Sequence, residues 1–180
     1  MSKTPIFLSW SGERSRAVAS ALSEYIQLML EQTEPFRSDG IEAGRRWNAE
    51  IAAQLSKSNL GIICLTPENR EKPWLLFEAG ALSKALDDAR VIVYLYDIQV
   101  EDVAPPLSDF QMKAADHDGT LAVIKAINAS LKEPRDDALL TKTFEKWWPD
   151  LDEKLKAIPK PPGKAPKKRE VDDMFAEILA

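Results

Sequence analysis

Apolar positions along this chain alternate between two spacings. Pro5-Ile-Phe-Leu-Ser9 is a short apolar run of the kind a buried strand makes, and the stretch after it shifts to helical spacing. There Val18, Leu22, Tyr25 and Met29 fall on one face, and Ser11 is the expected N-cap. A short strand is expected near Pro35–Arg37. Ser38-Asp-Gly-Ile-Glu-Ala-Gly44 follows as a loop, and Trp47, Ile51 and Leu55 mark the next helix. Leu60-Gly-Ile-Ile-Cys-Leu-Thr66 is apolar on both faces, as a central parallel strand covered on two sides would be. Pro67 to Pro73 forms a polar loop, and Trp74 opens a helix with a core stripe of Leu75, Ala79, Leu82 and Leu86. Arg90–Tyr96 is the next strand. After Pro105-Pro106, residues Phe110–Ala114 suit a short edge strand. Leu121, Ile124, Ile127 and Leu131 predict a helix. Leu140, Phe144, Trp147, Leu151 and Leu155 predict the last ones, with Pro149 breaking or kinking that run.

Strand and helix in this alternation imply right-handed crossovers and a mostly parallel sheet with helices on both faces. Four or five strands suit the length. Pattern does not order them, and a flavodoxin-like three-layer αβα sandwich is the expectation. The C-terminal part differs in composition. Residues 1–158 read as one domain. Residues 159–169, containing Lys160-Pro-Pro-Gly-Lys-Ala-Pro-Lys-Lys-Arg169, read as a basic, proline-rich linker. Residues 170–180 resume a helical pattern on Val171, Met174, Phe175 and Ile178, too short to stand alone in water. That tail is expected to dock on the domain or a partner, or to begin a further region.

Composition narrows the function. With 180 residues, 44% apolar, the chain has enough material for a substantial core. The 29 acidic against 24 basic side chains give a net charge of −5, which argues against general binding to nucleic acid or to an anionic membrane. One cysteine, Cys64, and one histidine, His117, leave no intrachain disulfide and no usual zinc constellation, so no metal is expected. The apolar run at Ile6–Leu8 is far too short for a signal peptide, and a cytoplasmic location is expected.

In open parallel sheets ligands bind beyond the carboxyl ends of the strands. Three loops qualify: Ser9-Trp-Ser-Gly12, Ser38 to Trp47, and Pro67 to Trp74. Trp74 and Glu78 are four apart and share one side of a helix, one position off its core stripe. An aromatic beside a carboxylate can stack on a heterocycle while the acid accepts hydrogen bonds from a sugar. On the structural reading, Trp74 plugs the sheet edge and Glu78 complements the helix dipole. Arg45 and Arg46, Asp87-Asp88 and His117, which lies between two aspartates without an evident partner, read as solvated or structural. Trp147-Trp148 reads as packing for the last helix. Gly40 and Gly44 lack the Gly-Lys-Ser/Thr signature of a phosphate loop, and no Gly-x-Ser-x-Gly elbow occurs.

Taken in order, these segments resemble the TIR (Toll/interleukin-1 receptor) domain family, in particular its short prokaryotic branch. Ile6-Phe-Leu-Ser-Trp-Ser11 resembles the first box. Arg37-Ser-Asp-Gly-Ile-Glu-Ala-Gly-Arg-Arg-Trp47 resembles the BB loop, Leu60–Asn69 the third strand with its loop, and Pro73-Trp-Leu-Leu-Phe-Glu-Ala-Gly80 the Trp-x-x-x-Glu helix. The likeness spans roughly residues 4 to 158. Leu75 stands where the family box often has a cysteine, and the BB-like loop is not the proline-containing version of animal receptor adaptors.

The resemblance implies an enzyme that cleaves the nicotinamide–ribose bond of NAD+, with Glu78 catalytic and Trp74 lining the pocket. Ser9, Trp10 and Ser11, with Ser38, Asp39 and Trp47 of the BB-like segment, would shape the rest of the substrate site. NAD+ is then substrate, and no cofactor is expected. It also implies self-association with other TIR domains as the activating step, in bacterial antiphage defence, with a C-terminal sensor region or partner protein. The alternatives are a non-catalytic TIR–TIR scaffold or host-signalling mimic, and a nucleoside deoxyribosyltransferase-like enzyme. A phosphoacceptor receiver domain fits least, since the third strand ends in Thr66 rather than an aspartate.

Overall fold

The computed structural model of the chain describes residues 2–37, 58, 60–71 and 90–161. Five strands form one sheet: β1 (Thr4–Ser9), β2 (Thr33–Arg37), β3 (Leu60–Leu65), β4 (Val91–Leu95) and β5 (Gln111–Ala114). Every pairing is parallel and the spatial order is β2-β1-β3-β4-β5. This is the flavodoxin-like order, in which the chain reverses its direction of travel across the sheet between β1 and β3. Among the described residues the helices longer than a single turn are α1 (Glu13–Met29), α2 (His117–Ser130) and α3 (Asp137–Lys156). None is long and apolar enough to cross a membrane.

Strand residues of alternating parity feed two cores. Ile6, Leu8, Leu60, Ile62, Cys64, Ile92 and Tyr94 pack with Val18, Leu22, Ile26 and Met29 of α1, Val123, Ile124 and Ile127 of α2, and Phe144 and Leu151 of α3. On the other face Phe7, Ile63, Leu65, Val93 and Leu95 pack with Ile98, Val103 and Leu107. All six residues of β3 are buried, as its uninterrupted apolar run requires. The helix-period residues expected on α1, from Val18 to Met29, are buried as well.

Three sequence expectations need correction. Ser11 does not cap α1. Gly12 does, at φ +86°, a conformation glycine adopts without steric cost, and among the described residues no side chain makes a capping hydrogen bond there. Ser11 instead donates its backbone N–H to the Ser15 hydroxyl (3.3 Å). Pro149 does not divide the last helix: α3 runs through it as one element. The buried Phe144 before it and Leu151 and Leu155 after it hold both halves against the same core, which offsets the one missing N–H donor. His117 has a partner after all. It opens α2, with Nε2 2.9 Å from the Glu145 carboxylate of α3 and Nδ1 2.8 Å from Asp118.

The expected helices from Trp47 and from Trp74, the BB-like loop, Arg45, Arg46 and Asp87-Asp88 lie outside the described residues, as does residue 162 onward.

Candidate functional site

The loops after β1, β3, β4 and β5 share the carboxyl edge of the sheet, and the described residues there form a connected polar network. Asn69, in the turn after β3, is buried and holds two loops together. Its amide donates to the carbonyls of Ser11 (3.2 Å) and Cys64 (3.1 Å), while its oxygen accepts from Thr66 N–H (2.8 Å). The Ser15 hydroxyl of α1 donates to the same Cys64 carbonyl (2.8 Å). The β1 loop is therefore fastened to the end of β3 from both sides of the point where the chain reverses.

Arg14 extends this network to β4. Its side chain, 8% exposed, gives Nη1 to Glu68 and Nη2 to Asp97, each at 2.8 Å. The guanidinium lies 5.0 Å from the centroid of the Tyr96 ring. The Tyr96 hydroxyl in turn donates to the Leu155 carbonyl (2.6 Å), fastening the end of α3 to the same edge. Burial works against the Arg14 charge, but hydrogen bonds to Asp97 and Glu68 outweigh it and raise its pKa. Glu68 also meets a burial penalty. Bonds from backbone N–H and from Arg14 overcome it and hold its carboxyl below the usual range. Asp97 adopts φ +56°, a left-handed conformation that aspartate tolerates better than most residues. Lys160 Nζ stands 3.9 Å from the same Asp97 carboxylate, so the chain after α3 returns to this edge.

Among the described residues, two of the cavities at this edge are lined by Arg14. One of about 450 Å³ lies in front of the α1 N-terminus, between Ser11–Ser15, Thr66 and Glu68 on one wall and Ile158–Pro161 on the other. The second, about 640 Å³, lies beside Tyr96–Gln99 and Ala114–Asp116. A larger hollow, near Ser2–Pro5 and Lys132–Glu133, is at the opposite, amino-terminal edge of the strands, away from these loops.

Of the residues singled out in the sequence, the structure places Ser9, Trp10 and Ser11 together at the β1 end. Ser9 is fully buried, so it supports the loop from beneath. Trp10 is half-buried and packs against the core, with the Arg16 guanidinium 5.6 Å from its ring centroid. Its indole Nε1 is buried and has no hydrogen-bond partner among the described residues. Ser11 is half-buried and fixed through its backbone. Trp74, Glu78, Ser38, Asp39 and Trp47 lie outside the described residues. The sequence reading missed Arg14, Glu68, Asn69 and Asp97. The available signal was Arg14 itself, a cation in the first turn of a helix, where the dipole disfavours one. Cys64 is buried in β3 and burial pushes its thiol up to about 12, so it supplies no thiolate nucleophile near neutral pH.

No curated protein matches the chain. Among solved structures, the TIR domains of the activated Roq1 resistosome directly recognizing the pathogen effector XopQ are similar to it, at 15% identity over 98% of each chain and a TM-score of 0.43. A family model described as TIR domain matches residues 6–131, from the first strand to the end of α2. The chain belongs to the TIR domain family.

Proposed function

We propose that this TIR domain is an NAD+ glycohydrolase that breaks the bond between nicotinamide and ribose. The observation that carries the reading is the sheet edge itself. The loops after β1 and β3 meet at the reversal point, where doubly wound sheets bind nucleotides, and are locked together through Asn69 and Arg14. The second of them leads, in sequence, to the Trp74-x-x-x-Glu78 segment. Trp10 adds a half-buried aromatic at the same edge.

The chemistry asks little of the protein beyond one carboxylate. Nicotinamide leaves as a neutral molecule from a cationic ribosyl linkage, so no general acid is needed. The transition state gains oxocarbenium character, which the Glu78 carboxylate stabilises electrostatically while accepting hydrogen bonds from ribose hydroxyls. Trp74 stacks on the base. Ser9, Trp10 and Ser11, with Ser38, Asp39 and Trp47, shape the remainder of the pocket. Attack by water on the ribosyl carbon yields ADP-ribose, and attack by the adenine of the same molecule yields a cyclic product. Activation occurs by association of TIR domains, in a defence role, with residues beyond 158 as linker and tail toward a sensing region or partner. The test is nicotinamide release by concentrated protein, compared with Glu78→Gln. Loss of release in the variant supports the reading; an unchanged signal, or a biological output that survives Glu78→Ala, points to the scaffold.

A further inference from the structure

We infer that Arg14 is a positioning residue, one that locks the strand-end loops after β1, β3 and β4 into a single site and thereby sets its rate of nicotinamide release. The inference rests on the function proposed above for what the site does, but its structural half stands on the geometry alone.

Arg14 is placed where a structural arginine has little reason to be. It sits in the first turn of α1, where the positive end of the helix dipole opposes a cation, and its side chain is more than nine-tenths buried. Burying a charge is costly unless the partners are well aligned. Here they are, and each comes from a different loop: Glu68 from after β3 and Asp97 from after β4, both at 2.8 Å. The face of the ion is covered by Tyr96, which also ties down the end of α3. The remaining guanidinium nitrogen, Nε, is buried with no hydrogen-bond partner among the described residues. A side chain whose job was stability alone would be matched as well by an apolar residue of similar volume. What an apolar residue could not do is reach from the β1 side of the reversal point and tie the carboxylates of two separate loops on its other side to the start of α1. Lysine could not do it fully either, because its single ammonium lacks the fork that reaches both. Arg14 also lines both cavities at this edge.

Loops that drift by about an ångström cost an enzyme about a hundredfold in rate, because alignment of the reacting groups is lost. Two measurements on the full chain decide the inference. In the first, amide hydrogen exchange is compared between wild type and Arg14→Gln. Exchange at residues 10–15, 66–71 and 96–98 should accelerate together by about tenfold or more, while the amides of β3 and β4 keep their protection. In the second, nicotinamide release is measured well below the melting temperature of each variant. Arg14→Gln should lower kcat by about 10- to 100-fold with KM for NAD+ nearly unchanged. Arg14→Lys should recover part of the loss, and Arg14→Gln/Glu68→Gln should be no slower than Arg14→Gln alone. A merely structural arginine would change the melting temperature and leave kcat per folded molecule as it was, and that result overturns the inference. So does exchange that accelerates in one loop only. If wild type releases no nicotinamide while Arg14→Gln still unlocks all three loops, the proposed function has failed and the locking role stands.

Discussion

The Gly12-Glu-Arg-Ser15 turn shows how much a few residues decide here. Gly12 supplies the φ that starts α1, Arg14 reaches two other loops, and Ser15 caps the carbonyl at Cys64. His117 plays a comparable part at the start of α2. Hydrogen bonds donated by its ring N–H groups to the Asp118 and Glu145 carboxylates, and the charges of those groups, favour the imidazolium and raise its pKa above the ordinary 6.5. A raised folded-state pKa contributes stability that is fully present below the unfolded value and disappears as pH rises through the folded one. The stability gap between wild type and His117→Gln should therefore be widest below the ordinary imidazole pKa of about 6.5 and shrink as pH rises above it, as thermal melts across that range would reveal. A gap that widens with pH would contradict the ion-pair assignment. Gly119 makes a sharper case. A Cβ there would collide with the backbone of Ala114 at the end of β5, which side-chain motion cannot relieve. Gly119→Ala should cost about 3 kcal/mol in denaturant unfolding, at the upper end for overpacking.

At the scale of elements, the sequence announces whatever is uniformly apolar or strictly periodic. β1, β3 and β4 are legible because their apolar residues run together, and α1 because its buried face repeats at 3.6. β2 is legible only in its last residues, since Thr33-Glu-Pro-Phe-Arg37 carries a proline and two charges. An edge position is what makes such a strand possible: it pairs with β1 alone, and Pro35 sits opposite Ile6. Pro149 misleads for the opposite reason. Local propensity says break, and burial on both sides of it overrides propensity. The family match ends at residue 131, yet α3 lies beyond it and buries Leu140, Phe144, Leu151 and Leu155 in the same core as β1 and α1. Four such side chains are worth about 6–12 kcal/mol, comparable to the whole stability of a small domain. A chain ending at Leu131 should show no cooperative thermal transition, whereas one ending at Pro161 should melt as a unit. A cooperative melt of the shorter chain would refute the placement of α3 in the core.

For the whole molecule, family and fold class were readable, while strand order and the internal wiring of the site were not. The boxes at Ile6–Ser11 and Leu60–Asn69 are contiguous in sequence, so their order and spacing could be recognised. The Arg14 network joins positions 54 and 83 residues apart in the chain, and nothing in their local context marks them as partners. Such pairings exist only once the sheet brings the loops to one edge. The candidate site is thus assembled by topology: β1 and β3 lie side by side, their loops diverge, and buried side chains hold the gap between them in one shape. Its proposed reactivity rests on a single carboxylate.

That carboxylate is the place to test the account. Nicotinamide released from NAD+ should be quantified for wild type and Glu78→Gln over a series of protein concentrations, in the presence of a crowding agent that favours assembly. Release by wild type should rise more steeply than protein concentration, and the variant should lose at least about a hundredfold, the scale expected when a group that stabilises the transition state is removed. Equal release by both proteins, or none from wild type at any concentration, would contradict the account.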